Sequence, residues 1–486
     1  MLYRGAGILM PISALWSDGL IGTLGSAATE FVDFLSQSGQ KYWQVLPLGP
    51  VGYADSPYQP FSAFAGNWYY IDLERLKKEG LLSESELPTE KSRYVNYGAV
   101  YRERPQLLRK AFSRFKPDDS FKAFEEENEY WLNDFALFMA IKRDRGMGSC
   151  LNWPDNIRCR EPEGIAEQSE RLKDEIEFNK FCQYQFFKDW YALRKYANVK
   201  GVKLIGDMPI YVAADSSDFW VRPQQFEITN DLKPRKIAGV PPDLFSQTGQ
   251  RWGNPLYNWE YMNSDNFSWW RKRMSQASLM FDAVRIDHFI GIARYFSISA
   301  DNEGTVTGRW RRGPGSRLTT ALDEERGDTD IIAENLGVSH PSVDRLLKRT
   351  GYHAMGVLEF AFDGDMTNQY LPHNLSKNYA LYPATHDNDT VVGWFYKQPP
   401  SKQHLIADYA HIRSKNHIHD GVLRLAYSSV CDLAIVQMQD VLGLGSSARM
   451  NTPSTTSGNW RWRLQKSDLR DAVVSKLKHL TELYGR

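Results

Sequence analysis

The chain has 486 residues, 42% of them hydrophobic, with Lys+Arg and Asp+Glu balanced at 59 each. That is enough apolar material for a large core, and with no basic excess to neutralise phosphates, nucleic acid is excluded as a partner. No stretch approaches the about 18 apolar residues of a membrane span, no leader-like apolar region follows Met1, and the 4 cysteines (Cys150, Cys159, Cys182, Cys431) show no C-x-x-C spacing, so a cytoplasmic protein with reduced thiols and no membrane attachment is expected.

Short apolar runs recur along the chain at residues 7–12, 42–48, 202–210, 281–289, 330–334, 354–360, 379–386 and 433–438. They are continuous rather than alternating, as strands buried on both faces should be. Helical spacing fills several of the gaps. Ala28, Phe31, Val32 and Leu35 mark a helix over 27–38. Val343, Leu346 and Leu347 mark another over 339–349, with Pro341 in its first turn, where proline is tolerated. Eight such runs with intervening helices argue a (β/α)8 TIM barrel. The spacing is uneven, however. The chain reads as a single catalytic domain over 1–486 with a largely helical inserted subdomain at about 75–200 and a Pro/Gly/Asn-rich lid loop region at about 215–270.

The runs end in charge. Asp207 closes the third, Arg285, Asp287 and His288 the fourth, Glu334 the fifth, and His386 and Asp387 the seventh. An unpaired charge on a buried strand costs several kcal/mol, whereas the C-terminal ends of barrel strands open into a polar site. Converging carboxylates without a phosphate-binding glycine loop suggest a metal site or acid/base chemistry on an uncharged substrate. The first run carries no His-x-His, and His417-Ile418-His419 lies in a polar stretch, so no metal is expected. No G-x-S-x-G elbow supports a serine nucleophile. Glycoside chemistry needs one ionised carboxylate and one acid of raised pKa. Arg285 would hold Asp287 ionised, and the apolar residues before Glu334 would favour its protonated form.

Ordered motifs run nearly end to end: Trp43-Gln44-Val45-Leu46-Pro47-Leu48-Gly49-Pro50, Asp55-Ser56-Pro57-Tyr58, Gly206-Asp207-Met208-Pro209, Arg285-Ile286-Asp287-His288-Phe289, Ala333-Glu334-Asn335-Leu336-Gly337, Thr385-His386-Asp387-Asn388-Asp389 and Gly458-Asn459-Trp460. With these the chain resembles the 4-α-glucanotransferases of glycoside hydrolase family 77, in the α-amylase clan. The resemblance implies a barrel with inserted subdomains and no separate C-terminal β domain, no cofactor, and α-1,4-glucans and maltooligosaccharides as substrates. It implies Asp287 as nucleophile, Glu334 as general acid/base and Asp387 as the third carboxylate. It also implies Tyr58, Asp207, Arg285, His288 and His386 around the cleaved glucose, and Trp252 and Asp243 on an acceptor-side lid. Four positions depart from the family's habit: Asn335 where Asp is frequent, Leu244 where an aromatic is common, and the pair Trp68-Tyr69. An α-glucan hydrolase, a branching enzyme and a catalytically inactive glucan-binding protein are the alternatives.

Overall fold

The computed structural model describes residues 2–17, 19–89, 92–242, 249–301, 306–337 and 340–486. Twelve strands are present among the described residues: β1 (Gly5–Leu9), β2 (Tyr42–Gln44), β3 (Lys203–Pro209), β4 (Lys236–Val240), β5 (Gln250–Pro255), β6 (Ala283–Asp287), β7 (Arg294–Ser299), β8 (Gly308–Arg312), β9 (Asp330–Ala333), β10 (His353–Val357), β11 (Tyr379–Tyr382) and β12 (Leu433–Gln437). Eight of them close a parallel barrel in the order β1-β2-β3-β6-β9-β10-β11-β12. Each of the eight apolar runs contributes one barrel strand, so the fold is a (β/α)8 TIM barrel with insertions.

Burial explains why these runs become strands. All five residues of β1 and of β12 are buried, since helices cover the outside and side chains fill the inside. Close packing sets local identity: a side chain on Gly206 would place its Cβ 2.4 Å from the Phe281 ring. Buried polar groups favour partners, and one such pair joins two barrel strands. Tyr382 OH donates to Gln44 Oε1 at 2.7 Å.

Register puts the charged strand ends at one level. Asp207 on β3 lies opposite Arg285 on β6, and Ile286 lies opposite Ala333 on β9. Glu334 N donates to Ile286 O at 3.0 Å, so Glu334 leaves β9 beside Asp287.

Most of 75–200 is helical, including Tyr97–Arg114, Asp119–Glu127, Leu132–Asp144 and Pro162–Arg171. The last helix, Lys173–Val199, feeds directly into β3 and serves as its crossover. Trp190 on it is fully buried and donates its indole N–H to Met280 O, tying it to the helix Ser268–Met280 that precedes β6. The helix expected at 339–349 is Pro341–Thr350, with Pro341 in its first turn.

The stretch 215–270 differs from a loop region. It supplies β4 and β5, which join β7 and β8 in a four-stranded antiparallel sheet of order β5-β4-β7-β8. Ile237, Phe296 and Ile298 form its own small apolar cluster, with Trp310 packed against it. Neither β7 nor β8 corresponds to one of the apolar runs. In β7 serine interrupts the apolar positions and in β8 Trp310 is the one apolar residue, so neither carries much periodicity. Among the described residues, no helix is long and apolar enough to cross a membrane.

Candidate active site

A cleft of about 290 Å³ opens at the C-terminal ends of the barrel strands. Tyr58, Trp252, Arg285, Asp287, His288, Glu334, His386 and Asp387 all line it. Asp207 stands behind that wall, its side chain fully enclosed. Asp243 and Leu244 lie outside the described residues.

Asp207 is bound from two sides. Arg285 Nη1 donates to both of its oxygens at 2.8 Å, and Tyr58 OH donates to Oδ2 at 2.8 Å. The same Arg285 nitrogen is 3.0 Å from Asp287 Oδ1. Burial works against the guanidinium's charge, but Asp207 and Asp287 outweigh it and push its pKa well up. Arg285 is therefore a fixed cation shared by two carboxylates, one buried and one facing the cleft, rather than the private partner of Asp287 that their spacing on one strand suggested.

Glu334 is held by backbone. Oε2 accepts from His288 N at 2.7 Å and Oε1 from Leu336 N at 2.8 Å. Those donors and Arg285 favour the carboxylate, but burial dominates and the nearby Asp287 adds to it, so the carboxyl is pushed up to about 7. Such a group can give and take a proton near neutrality. His288 presents its amide from a left-handed backbone, φ 50°, a conformation costly for a non-glycine residue and frequent at functional sites. Burial lowers its imidazole pKa to about 4, so the ring is neutral. Its Nε2 has no partner among the described residues.

Asp387 sits in the turn after β11. Oδ1 accepts from Asn451 Nδ2 at 2.7 Å, and Oδ2 is 3.3 Å from His386 Nε2. Burial alone would raise this carboxyl, but His386 and Asn451 hold it down at about 2. Reciprocally, burial would lower the His386 pKa and Asp387 overcomes it, leaving it raised. The His386 ring stacks on Tyr58, centroids 4.8 Å apart. Asn335, the departure beside Glu334, ties two barrel strands together, since its Oδ1 accepts from Met355 N at 2.9 Å.

Sequence reasoning missed several walls of the cleft: Tyr211, Gln250, Trp310, Asn451, Ser454 and Trp460. Ser454 and Trp460 also have left-handed backbones, φ 65° and 60°. An aromatic flanked by arginines in Arg309-Trp310-Arg311-Arg312 was the available signal for Trp310.

Below the Asp387 turn, Glu359 is buried and its Oε1 has no partner among the described residues. Burial, then Asp440 and Asp389, push its pKa well up, so its surroundings favour the protonated form. A raised folded-state pKa means stability present below the unfolded value of 4.5 and lost as pH rises toward the folded one. Glu359→Gln keeps the shape without the ionisation. It is expected to melt higher than wild type at pH 8, by the order of 1–4 °C, with the gap closing toward pH 4.5. Melting curves across that range check this, and a wild-type advantage growing with pH would contradict it.

A parallel barrel with a carboxylate-rich, aromatic-walled cleft at its strand ends has the layout of a barrel enzyme's active site. A family model described as 4-alpha-glucanotransferase matches residues 10–469. The chain is 43% identical to the 4-alpha-glucanotransferase of Clostridium butyricum, covering 98% of this chain and 100% of that protein. It is 42% identical to that of Thermus thermophilus, covering 100% and 99%. Among solved structures, the amylomaltase of Streptococcus agalactiae in complex with acarbose matches with a TM-score of 0.96 at 40% identity over 99% of both chains. The chain belongs to the 4-alpha-glucanotransferase family and is an enzyme of that activity, acting on α-glucans.

Proposed function

We propose that the enzyme transfers α-1,4-glucan segments from a donor maltooligosaccharide to the 4-OH of an acceptor glucan or glucose by retaining double displacement. Asp287 attacks the anomeric carbon while Glu334 protonates the departing glycosidic oxygen. The acceptor's 4-hydroxyl oxygen then bonds to that carbon, the bond to Asp287 breaks, and the hydroxyl proton returns to Glu334. Asp387 binds ring hydroxyls and faces the charge that develops at the anomeric centre. Tyr58, His386 and His288, with its free Nε2, line the glucose being transferred. Arg285 steadies Asp287, and the enclosed Asp207 acts through Arg285 and Tyr58. Trp252, its ring edge-on to His288 with centroids 4.8 Å apart, walls the acceptor side. The observation that carries this reading is the pair of carboxyls made different by their surroundings. Glu334 is pushed to about 7 by burial, while Asp287 lies 3.0 Å from a permanent cation. A cytoplasmic setting belongs to the same reading, supported by four cysteines that are all free thiols.

Incubation with maltotriose tests it. The expected products are glucose and a ladder of longer α-1,4 oligosaccharides. Glucose and maltose alone would mean hydrolysis, and new α-1,6 linkages would mean branching.

A further inference from the structure

We propose that Trp310 is a stacking platform for acceptor glucan, serving the sugar units beyond the one that receives the new bond. The proposal rests on the reaction proposed above.

Trp310 lies on β8, an edge strand of the small sheet. It lines the cleft together with Ile290, Leu336 and Gly337. Leu336 N is one of the two donors that hold Glu334. In the reaction proposed above, leaving group and acceptor lie on the side of the proton donor Glu334, walled by Trp252, and Trp310 belongs to the same small sheet as Trp252. The other aromatic group, Tyr58, His386 and Trp460, is joined ring to ring on the Asp387 side.

The ring of Trp310 is fixed. Arg294 Cζ sits 3.9 Å from its centroid, a cation–π distance. Phe296 meets it edge-on, centroids 5.5 Å apart at 67°. It is nonetheless only half-buried, and what those two neighbours leave uncovered borders the cleft. A flat, immobilised, partly exposed indole suits the apolar face of a sugar ring and loses little entropy on binding. Trp252, on β5, occupies the opposite edge of the same sheet. Three strand spacings of about 4.8 Å separate those edges, roughly 14 Å. With Trp252 already walling the first acceptor position, Trp310 is placed for units further along.

The experiment uses α-maltotriosyl fluoride as donor, because its leaving group leaves the acceptor side empty. Glucose, maltose and maltotriose serve as acceptors for the wild type and for Trp310→Leu and Trp310→Phe. Trp310→Leu is expected to raise the KM for maltotriose about three- to tenfold, the value of one aromatic stack, and to raise the hydrolysed share of product. Its rate with glucose should stay within about twofold of wild type. Trp310→Phe, which keeps a ring and the packing on Phe296, should fall between. Equal losses with glucose and maltotriose, tracking a fall in melting temperature, would make Trp310 a packing residue and overturn the proposal, as would unchanged KM values. Failure of the underlying reaction reads differently: the wild type itself would not pass glycosyl groups from the fluoride to any acceptor.

Discussion

Asp287→Asn is expected to fold as the wild type does and to disproportionate maltotriose at less than about 10⁻⁴ of the wild-type rate. The loss is large because asparagine cannot form the glycosyl ester and also removes the negative charge facing the developing oxocarbenium. The fold is expected to survive because Arg285 keeps both 2.8 Å bonds to Asp207. The lost Asp287 carboxylate was partly exposed at 26%, where a screened ion pair contributes about 1 kcal/mol or less. Product chromatography and a melting curve measure the two effects separately. Wild type quenched during turnover of α-maltotriosyl fluoride should carry glycosyl mass on the peptide containing Asp287, and the variant none. Activity within about tenfold of wild type, with a lowered melting point, would reduce Asp287 to a structural partner of Arg285.

The barrel was readable because its strands are buried on both faces. A run such as Leu433-Ala434-Ile435-Val436 needs no partner to be recognised. The small sheet was not readable for the opposite reason. Gly308 to Arg312 alternates arginine with glycine and tryptophan, and it becomes a strand only because Trp310 lies opposite Phe296 and Arg309 opposite Ser297. Its one partner is the neighbouring β7, and with a single apolar residue it has no period of its own to find.

The site divides in the same way. Asp287, Glu334 and Asp387 could be picked out as charges ending apolar runs. Asn451, which hydrogen-bonds Asp387, arrives from the segment after β12 with nothing in its neighbourhood to mark it. Arg285 and Asp207 are 78 residues apart, and only the β3–β6 register makes them a pair. For Glu334, the preceding Ile331-Ile332-Ala333 announced desolvation. One of the two amides that orient its carboxyl comes from the left-handed turn at His288, and histidine is not a residue whose sequence context advertises that conformation.

Glu334→Gln should lose about 10²- to 10⁴-fold in kcat/KM on maltotriose, the range of general acid catalysis. It should lose much less on α-maltosyl fluoride with an acceptor present, since fluoride departs with little protonation. The pH dependence is the sharper signature. Glu334 must be protonated to act as acid, and its folded-state pKa is about 7. Wild-type kcat/KM on maltotriose should therefore fall with unit slope as pH rises past about 7. His288, at about 4, does not titrate there. His386 does compete for the assignment, because Asp387 raises its pKa from the ordinary imidazole value of 6.5. The variant decides between them. If Glu334 owns the limb, Glu334→Gln turning over the fluoride is flat from pH 6 to 9; if His386 owns it, the limb persists in the variant and weakens instead in His386→Asn. A limb that survives in Glu334→Gln removes Glu334 from the acid role, because glutamine at that position has no proton to lose near neutrality.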